Sequence, residues 1–246
     1  MDTQENNKHE HSEGVMKFVN WTSPPPPAVA YIKPSYFAAN LAKPPFKSNL
    51  LRWLQTMFPV ESIAKNAIRY GVGESKDGGV CWPFIDLQLR VNEITTEYHR
   101  TDGRRLEWKG RPMHAGLRIK GVLPRWSRPG RCLFGEHLLK EPDARKTVCI
   151  VESARAAFIM AMASPRNVWI ATGGRDGIYL LGNVARQLKA YKKVIIYPNA
   201  GKYVEWMMKP KVMGIPNAVV SRCCEGKQFD TDLADIYAER KQAEPF

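Results

Sequence analysis

The sequence predicts an α/β protein: a C-terminal parallel sheet with helices on both faces, preceded by a smaller α+β unit of helices and antiparallel strands. Three observations predict it. After Lys146, short apolar runs alternate with helix-spaced segments, the pattern of parallel strands joined by crossover helices. Before it, helix-spaced apolar residues give way to two strand-like runs separated by turn residues. At 246 residues, 44% hydrophobic and 25% charged, the chain is long enough to bury a core and too apolar for wholesale disorder.

Taken in order, residues 1–30 read as a tail. They hold four acids and two lysines, and Pro24 to Pro27 favour an extended spacer over a packed element. Residues 31–145 form the first unit. Leu50, Leu51, Leu54, Met57 and Phe58 recur at helical spacing. Pro59 opens a second helix with Ile63, Ala64, Ala67 and Ile68 on one face, and Tyr70-Gly71-Val72-Gly73 breaks it. Asp77-Gly78-Gly79 is a turn signal ahead of two antiparallel strands, Val80 to Asp86 and Val91 to Tyr98.

Residues 146–240 form the second unit. Thr147 to Val151, Val168 to Thr172, Val194 to Tyr197 and Ala218 to Ser221 read as buried strands. Residues 153–163 are helical in character. Leu181, Val184, Ala185 and Leu188 lie at i, i+3, i+4 and i+7, one face of a helix, and residues 202–208 form a short one.

Charge narrows the function. Lys and Arg number 37 against 24 Asp and Glu, a net +13, which points to an anionic partner such as nucleic acid. Between residues 100 and 131 ten cations face Asp102 and Glu107 alone, with Tyr98, Trp108 and Trp126 interleaved. Cations neutralise phosphates and aromatic faces stack on bases; the alternative is a solvated loop whose tryptophans belong to the core. No run of about 18 apolar residues spans a membrane, and the polar N-terminus lacks a signal-peptide pattern. Five cysteines without a CxxC pair exclude a disulfide framework or zinc ribbon and fit a reducing cytoplasm. His99, His114 and His137 lack ligand spacing, and no Walker motif or nucleophile elbow occurs. The vicinal pair Cys223-Cys224 reads as redox-active or as buried structural cysteine.

In an open parallel sheet, ligands bind beyond the carboxyl ends of the strands. Those ends carry Glu152-Ser153, then Thr172-Gly173-Gly174-Arg175-Asp176, then Pro198-Asn199-Ala200-Gly201-Lys202. A carboxylate at such a tip holds Mg²⁺ through one oxygen, and glycines admit a phosphate or form a tight turn. The chain resembles the Toprim fold of topoisomerases, bacterial primases and certain nucleases. More closely it resembles primase-like proteins of bacterial mobile elements and phages with a Toprim-like C-terminal half. The resemblance covers about residues 31–240. It rests on Tyr70-Gly71-Val72-Gly73, Trp82 to Asp86, Cys132 to Leu139, Val151-Glu152-Ser153, Trp169 to Gly174 and Asp232 to Asp235.

A working Toprim site implies a glutamate after the first strand and two aspartates one residue apart after the third. Glu152 matches the glutamate and is the candidate catalytic or metal-binding residue. Asn199 and Gly201 stand where the aspartates belong, and Lys202 follows with a charge that repels a cation. Asp176 and Asp230 are the remaining candidate ligands. Asp232 is read chiefly as a helix cap ahead of Leu233 and Ile236, so Mg²⁺ is a doubtful cofactor.

The leading expectation is therefore a nucleic-acid-binding, primase-like accessory protein of a mobile element or phage, with a degenerate Toprim-like domain and no two-metal catalysis. Its partner would be DNA or RNA, with single strands favoured. Arg104, Arg105, Lys109, Arg111, Arg155, Arg175 and Lys202 would contact phosphates. One alternative is an active Mg²⁺-dependent primase-like or nuclease-like enzyme working through Glu152 with Asp176 or Asp230. Another is an interaction protein that inhibits a host factor through its acidic tail.

Overall fold

The computed structural model describes residues 26–243; residues 1–25, and the side chains of Phe37, Glu107, Trp108, Lys109, Arg111, Arg175 and Asp176, lie outside that description. Most of the expected tail is therefore outside it. The described chain is tied down from Ala28, whose carbonyl accepts from the Arg128 amide at 3.0 Å.

A one-turn helix α1 (Ser35–Ala38) leads to α2 (Asn49–Leu54) and α3 (Val60–Tyr70). Ser48 caps α2 by accepting from the Leu51 amide, and Leu50, Leu51 and Leu54 are wholly buried. Pro59 precedes α3, and Gly71 ends it in the left-handed conformation (φ 70°). One face of α3 differs from expectation. Ile63 and Ala67 are buried, but Ile68 is 70% exposed. Tyr70 takes the inward position, and its hydroxyl donates to the Trp169 carbonyl at 2.7 Å.

The antiparallel sheet has four strands, not two: β1 (Gly73–Glu74), β2 (Val80–Ile85), β3 (Val91–His99) and β4 (Arg105–Pro112), in that spatial order. β4 and the helix α4 (Met113–Ile119) run through the basic window, which the sequence marks for phosphate contacts, or for a solvated loop as the alternative, and for no strand or helix. The alternation Arg105-Leu106-Glu107-Trp108-Lys109 is a period-2 strand signal that the density of cations hides.

The parallel sheet matches the prediction. β5 (Thr147–Val151), β6 (Val168–Ala171), β7 (Lys193–Ile196) and β8 (Ala218–Val220) pair in the order β6-β5-β7-β8. Between them lie α5 (Ala154–Ala163), α6 (Ala185–Lys189), α7 (Tyr203–Met207) and α8 (Lys209–Val212), and α9 (Leu233–Ala243) closes the chain. The helix expected around Leu181 and Val184 is a 3-10 segment, Arg175–Val184, that becomes α-helical only at α6.

Alternation along the strands sends side chains to two cores. Cys149, Val151, Trp169 and Ala171 face α5 and the N-terminal helices. Val148, Ile150, Val168, Ile170, Val194 and Ile196 face the 3-10 segment, α6 and Trp206 of α7. α5 is apolar nearly all round because it is sandwiched between the sheet and the pair α3 and α9. The first core runs from Ala42 through Trp82 and Phe134 to Ala234, so it crosses the change from antiparallel to parallel topology near residue 145.

The stretch Cys132 to Leu139 covers the edge of β6. Phe134 and Ala171 exchange two backbone hydrogen bonds, 2.9 and 3.0 Å, so the outer strand has no bare edge there. Among the described residues, no helix is long and apolar enough to cross a membrane.

Candidate functional site

The carboxyl ends of β5, β6 and β7 face residues of β2, β3 and β4 of the antiparallel sheet. Between them is a cleft of about 430 Å³, lined on one wall by Phe84, Thr95, Glu97 and Arg105 and on the other by Glu152, Gly174, Asn199 and Asp230. An adjoining hollow of about 380 Å³ continues past Gly130, Arg131 and Thr172, and the two share Phe84, Thr95, Gly173 and Gly174.

Glu152 leaves β5 into this cleft and is buried. Its carbonyl accepts from the Gly173 and Gly174 amides at 2.9 and 3.1 Å, which ties the β6 tip to the β5 tip. Gly173 sits at φ 75°, and a Cβ there would stand 2.8 Å from the Phe84 ring. Its glycine is needed for that close approach of β2, whatever else reaches the loop.

The β7 tip returns Lys202 to Glu152. Lys202 Nζ donates to Glu152 Oε2 at 3.0 Å and to Asp230 Oδ1 at 2.6 Å. Asn199 donates from its backbone to Glu152 Oε1 (3.4 Å) and from Nδ2 to Asp230 Oδ1 (3.1 Å). Asp230 adopts φ 68°, unusual for a residue with a side chain, and its amide donates to the Ala200 carbonyl at 3.1 Å. Burial alone would lower the Lys202 pKa, but the hydrogen bonds and charges of Asp230 and Glu152 outweigh it and hold it raised. Burial likewise pushes Asp230 up, and Lys202 and Asn199 more than reverse that, so its carboxyl lies below its usual range. The ammonium therefore stays charged and shared between two carboxylates.

A second ionic cluster lies behind the first. Ser153 caps α5, accepting from the Ala156 amide at 3.0 Å, and donates to Asp232 Oδ2 at 3.2 Å. Asp232 caps α9 as expected, accepting from the Asp235 amide at 2.9 Å, while Asp235 accepts from the Asp232 amide at 3.1 Å. Arg155 Nη1 lies 2.9 Å from Asp235 and 3.7 Å from Asp232. Burial raises the Asp232 pKa despite that arginine.

The sequence gives Lys202 and Arg155 to phosphates. In the fold the charged ends of both are held by carboxylates, with side chains 16% and 14% exposed. Arg104 is exposed, and Arg105 is half exposed at the cleft rim, 3.4 Å from Glu97. The side chains of Lys109, Arg111, Arg175 and Asp176 are outside the description. Glu97, unforeseen, faces Glu152 across the cleft and accepts from Trp82 Nε1 at 2.9 Å. Its sign would be the alternation along β3, which puts Glu93, Thr95 and Glu97 on one side.

Residues of this kind do not suit a divalent cation. Lys202 Nζ already occupies the space between the two carboxylates, and the β7 tip contributes an amide and a glycine, which supply no negative charge. Among the described residues, no three His, Cys, Asp or Glu side chains converge as a metal-binding group. Cys223 and Cys224 are free thiols with sulfurs 3.7 Å apart; Cys224 is buried against Ala200 and Ile236, and Cys223 is exposed.

His99, at the end of β3, is buried, and neither ring nitrogen has a hydrogen-bond partner among the described residues. Glu97 Oε2 is 3.9 Å away, too far to bond. Burial first, then Arg155 and Arg105, push its pKa down to about 3. The unfolded chain therefore takes up a proton near pH 6.5 that the fold excludes. Stability conferred by the neutral ring is present above that pH and is lost as pH falls from 6.5 toward 3, by roughly 1.4 kcal/mol per pH unit at most. Thermal unfolding should show a steeper decline between pH 6.5 and 4 for the parent than for His99→Leu; equal slopes would contradict a neutral His99.

The fold, a helical and antiparallel unit with a parallel sheet ordered β6-β5-β7-β8, is similar to that of solved primase catalytic cores. The primase fragment of the bacteriophage T7 primase-helicase superposes with a TM-score of 0.53 at 9% identity, covering 90% of this chain and 80% of that one. The DnaG catalytic core gives 0.50 at 13% identity, covering 84% and 73%. The DnaG primase catalytic domain bound to ssDNA gives 0.50 at 15% identity, covering 85% and 73%. At such identities the likeness is one of fold. The chain itself belongs to the family described as Domain of unknown function (DUF6371), whose model matches residues 48–200. No curated protein matches the sequence.

Proposed function

We propose that this chain binds nucleic acid, single strands in preference, in the groove between its two sheets, and that it does so without two-metal catalysis. Its role is that of a primase-like accessory protein of a mobile element or phage. The walls of the groove come from residues 31–145 and 146–240. The single observation that carries the reading is the Lys202 ammonium held between Glu152 and Asp230. A fixed monovalent charge offsets one of the two carboxylate charges and bonds to both, so the groove floor meets a polyanion with one net negative charge instead of two and without a divalent ion. The excess of 37 cations over 24 acids supplies the attraction, with Arg104, Arg105 and Arg131 exposed at or near the rim. A relative in fold, the DnaG primase catalytic domain, is described as bound to ssDNA, which agrees with a groove of this kind.

Charge reversal tests it. Arg104→Glu combined with Arg131→Glu should weaken binding of a labelled single-stranded oligonucleotide more than about tenfold at low salt. The double-logarithmic salt dependence should become shallower by about two. Unchanged affinity and slope would contradict the proposal. Mg²⁺-dependent strand cleavage or primer synthesis that disappears in Glu152→Gln would replace it with the enzyme reading.

A further inference from the structure

The segment after α4 carries a feature that the groove does not use. Gly121 (φ 69°) turns the chain, and Leu123 buries itself against Leu117 and Val91. Ser127 closes a tight turn onto the Pro124 carbonyl with its hydroxyl (2.7 Å) and its amide (2.9 Å). Arg118 Nη1 clamps the same turn by donating to the Ser127 carbonyl at 3.0 Å. The turn is thus fixed from three sides, yet it holds Trp126 77% exposed, beside Ile119 at 88%. The Arg125 guanidinium lies 5.3 Å from the centre of the Trp126 ring. These side chains border a hollow of about 990 Å³.

A rigidly presented indole in water, beside apolar neighbours, is a surface with an unmet partner. The charge around it says which partner. Between Glu107 and Glu136 the sequence has seven cations and no acid. Such a field repels basic peptides and attracts polyanions, and unpaired nucleic acid is the polyanion that offers a flat face with every residue for stacking. Three residues beyond Trp126, the chain runs through Pro129, Gly130 and Arg131, which line the hollow adjoining the groove. The two surfaces are therefore carried on one loop, three residues apart in the chain.

We infer that Trp126, with Arg125, is a stacking platform for an unpaired nucleobase of a strand whose phosphates follow the loop into the groove. This rests on the proposed nucleic-acid function and adds to it a site and a base-dependent term. The test uses the full chain and three probes: oligothymidylate, an abasic oligomer of the same length, and a duplex. Trp126→Ala should weaken oligothymidylate binding about 5- to 100-fold while leaving the abasic and duplex affinities unchanged. Trp126→Phe should recover most of the loss. Because the residue is exposed, the variants should unfold at the parent's temperature.

Oligothymidylate affinity unchanged in Trp126→Ala would overturn the inference while leaving groove binding intact. Equal losses on the abasic oligomer would overturn it as well, by showing that no base is stacked. Self-association of the parent that Trp126→Ala abolishes, with no effect on oligothymidylate, would assign the patch to a protein contact instead. Failure of the parent to bind any probe at low salt would sink the nucleic-acid reading and this site together.

Discussion

Lys202→Met should unfold at a temperature roughly 5–10 °C below the parent, a loss of about 2–3 kcal/mol. The substitution keeps the length of the side chain and removes only the ammonium. Glu152, whose side chain is 6% exposed, then has a buried charge without its partner. Removing one member of a buried pair costs about 3–5 kcal/mol; the lower figure here reflects the exposed position of Asp230, at 57%, which solvent screens. Adding Glu152→Gln should return much of the stability, because the amide needs no counter-charge and the Asn199 amide still has an oxygen to meet. A double variant as unstable as Lys202→Met would show that the ammonium matters for packing rather than for charge.

The pH dependence of the clamp follows from its two shifts. Lys202, raised, contributes stability that is complete below the range of free lysine and is lost as pH climbs through its folded value. Asp230, lowered, contributes stability that is complete above the ordinary carboxylate range and is lost as pH falls through its folded value. The clamp is therefore intact across the neutral range, and its loss should be read at the alkaline and acid ends.

Trp82→Ala should be the most damaging single change in the antiparallel sheet, at about 3–5 kcal/mol. The indole sits in the middle of β2 with no exposure and meets Phe134 edge-on at 5.8 Å and Phe158 at 5.7 Å. Those two rings belong to the segment that covers β6 and to α5, so Trp82 is where the antiparallel wall joins the parallel one. Its Nε1 also holds Glu97 at the cleft. Trp82→Phe should keep the ring contacts, lose the hydrogen bond and cost about 1–2 kcal/mol. Chemical denaturation of the three proteins orders them, and a Trp82→Ala protein as stable as Trp82→Phe would contradict this picture of the junction.

Much of this architecture is legible in the sequence because it is local. The four apolar runs of the parallel sheet, the left-handed glycine after Tyr70 and the Asp232 cap each depend on residues within a few positions of one another. The polar pairings are not local. Lys202 meets Glu152 across 50 residues, and Arg155 meets Asp235 across 80. Nothing in periodicity or composition says whether a lysine at a strand tip points outward to a phosphate or inward to a carboxylate. The topology decides, by setting β7 beside β5 so that both tips share one floor. β4 is missed for another reason: its alternation is present, but charge dominates the window and suggests solvent.

The central claim is a nucleic-acid groove in which a lysine, in place of a metal ion, holds the two carboxylates of the floor. The most direct measurement is fluorescence anisotropy of a labelled single strand, titrated with the parent protein at about 50 and about 200 mM salt, in Mg²⁺ and again in EDTA. The account predicts binding that falls steeply with salt and is the same in Mg²⁺ and in EDTA once ionic strength is matched. Binding that appears only with Mg²⁺, or no binding at the lower salt, would contradict it.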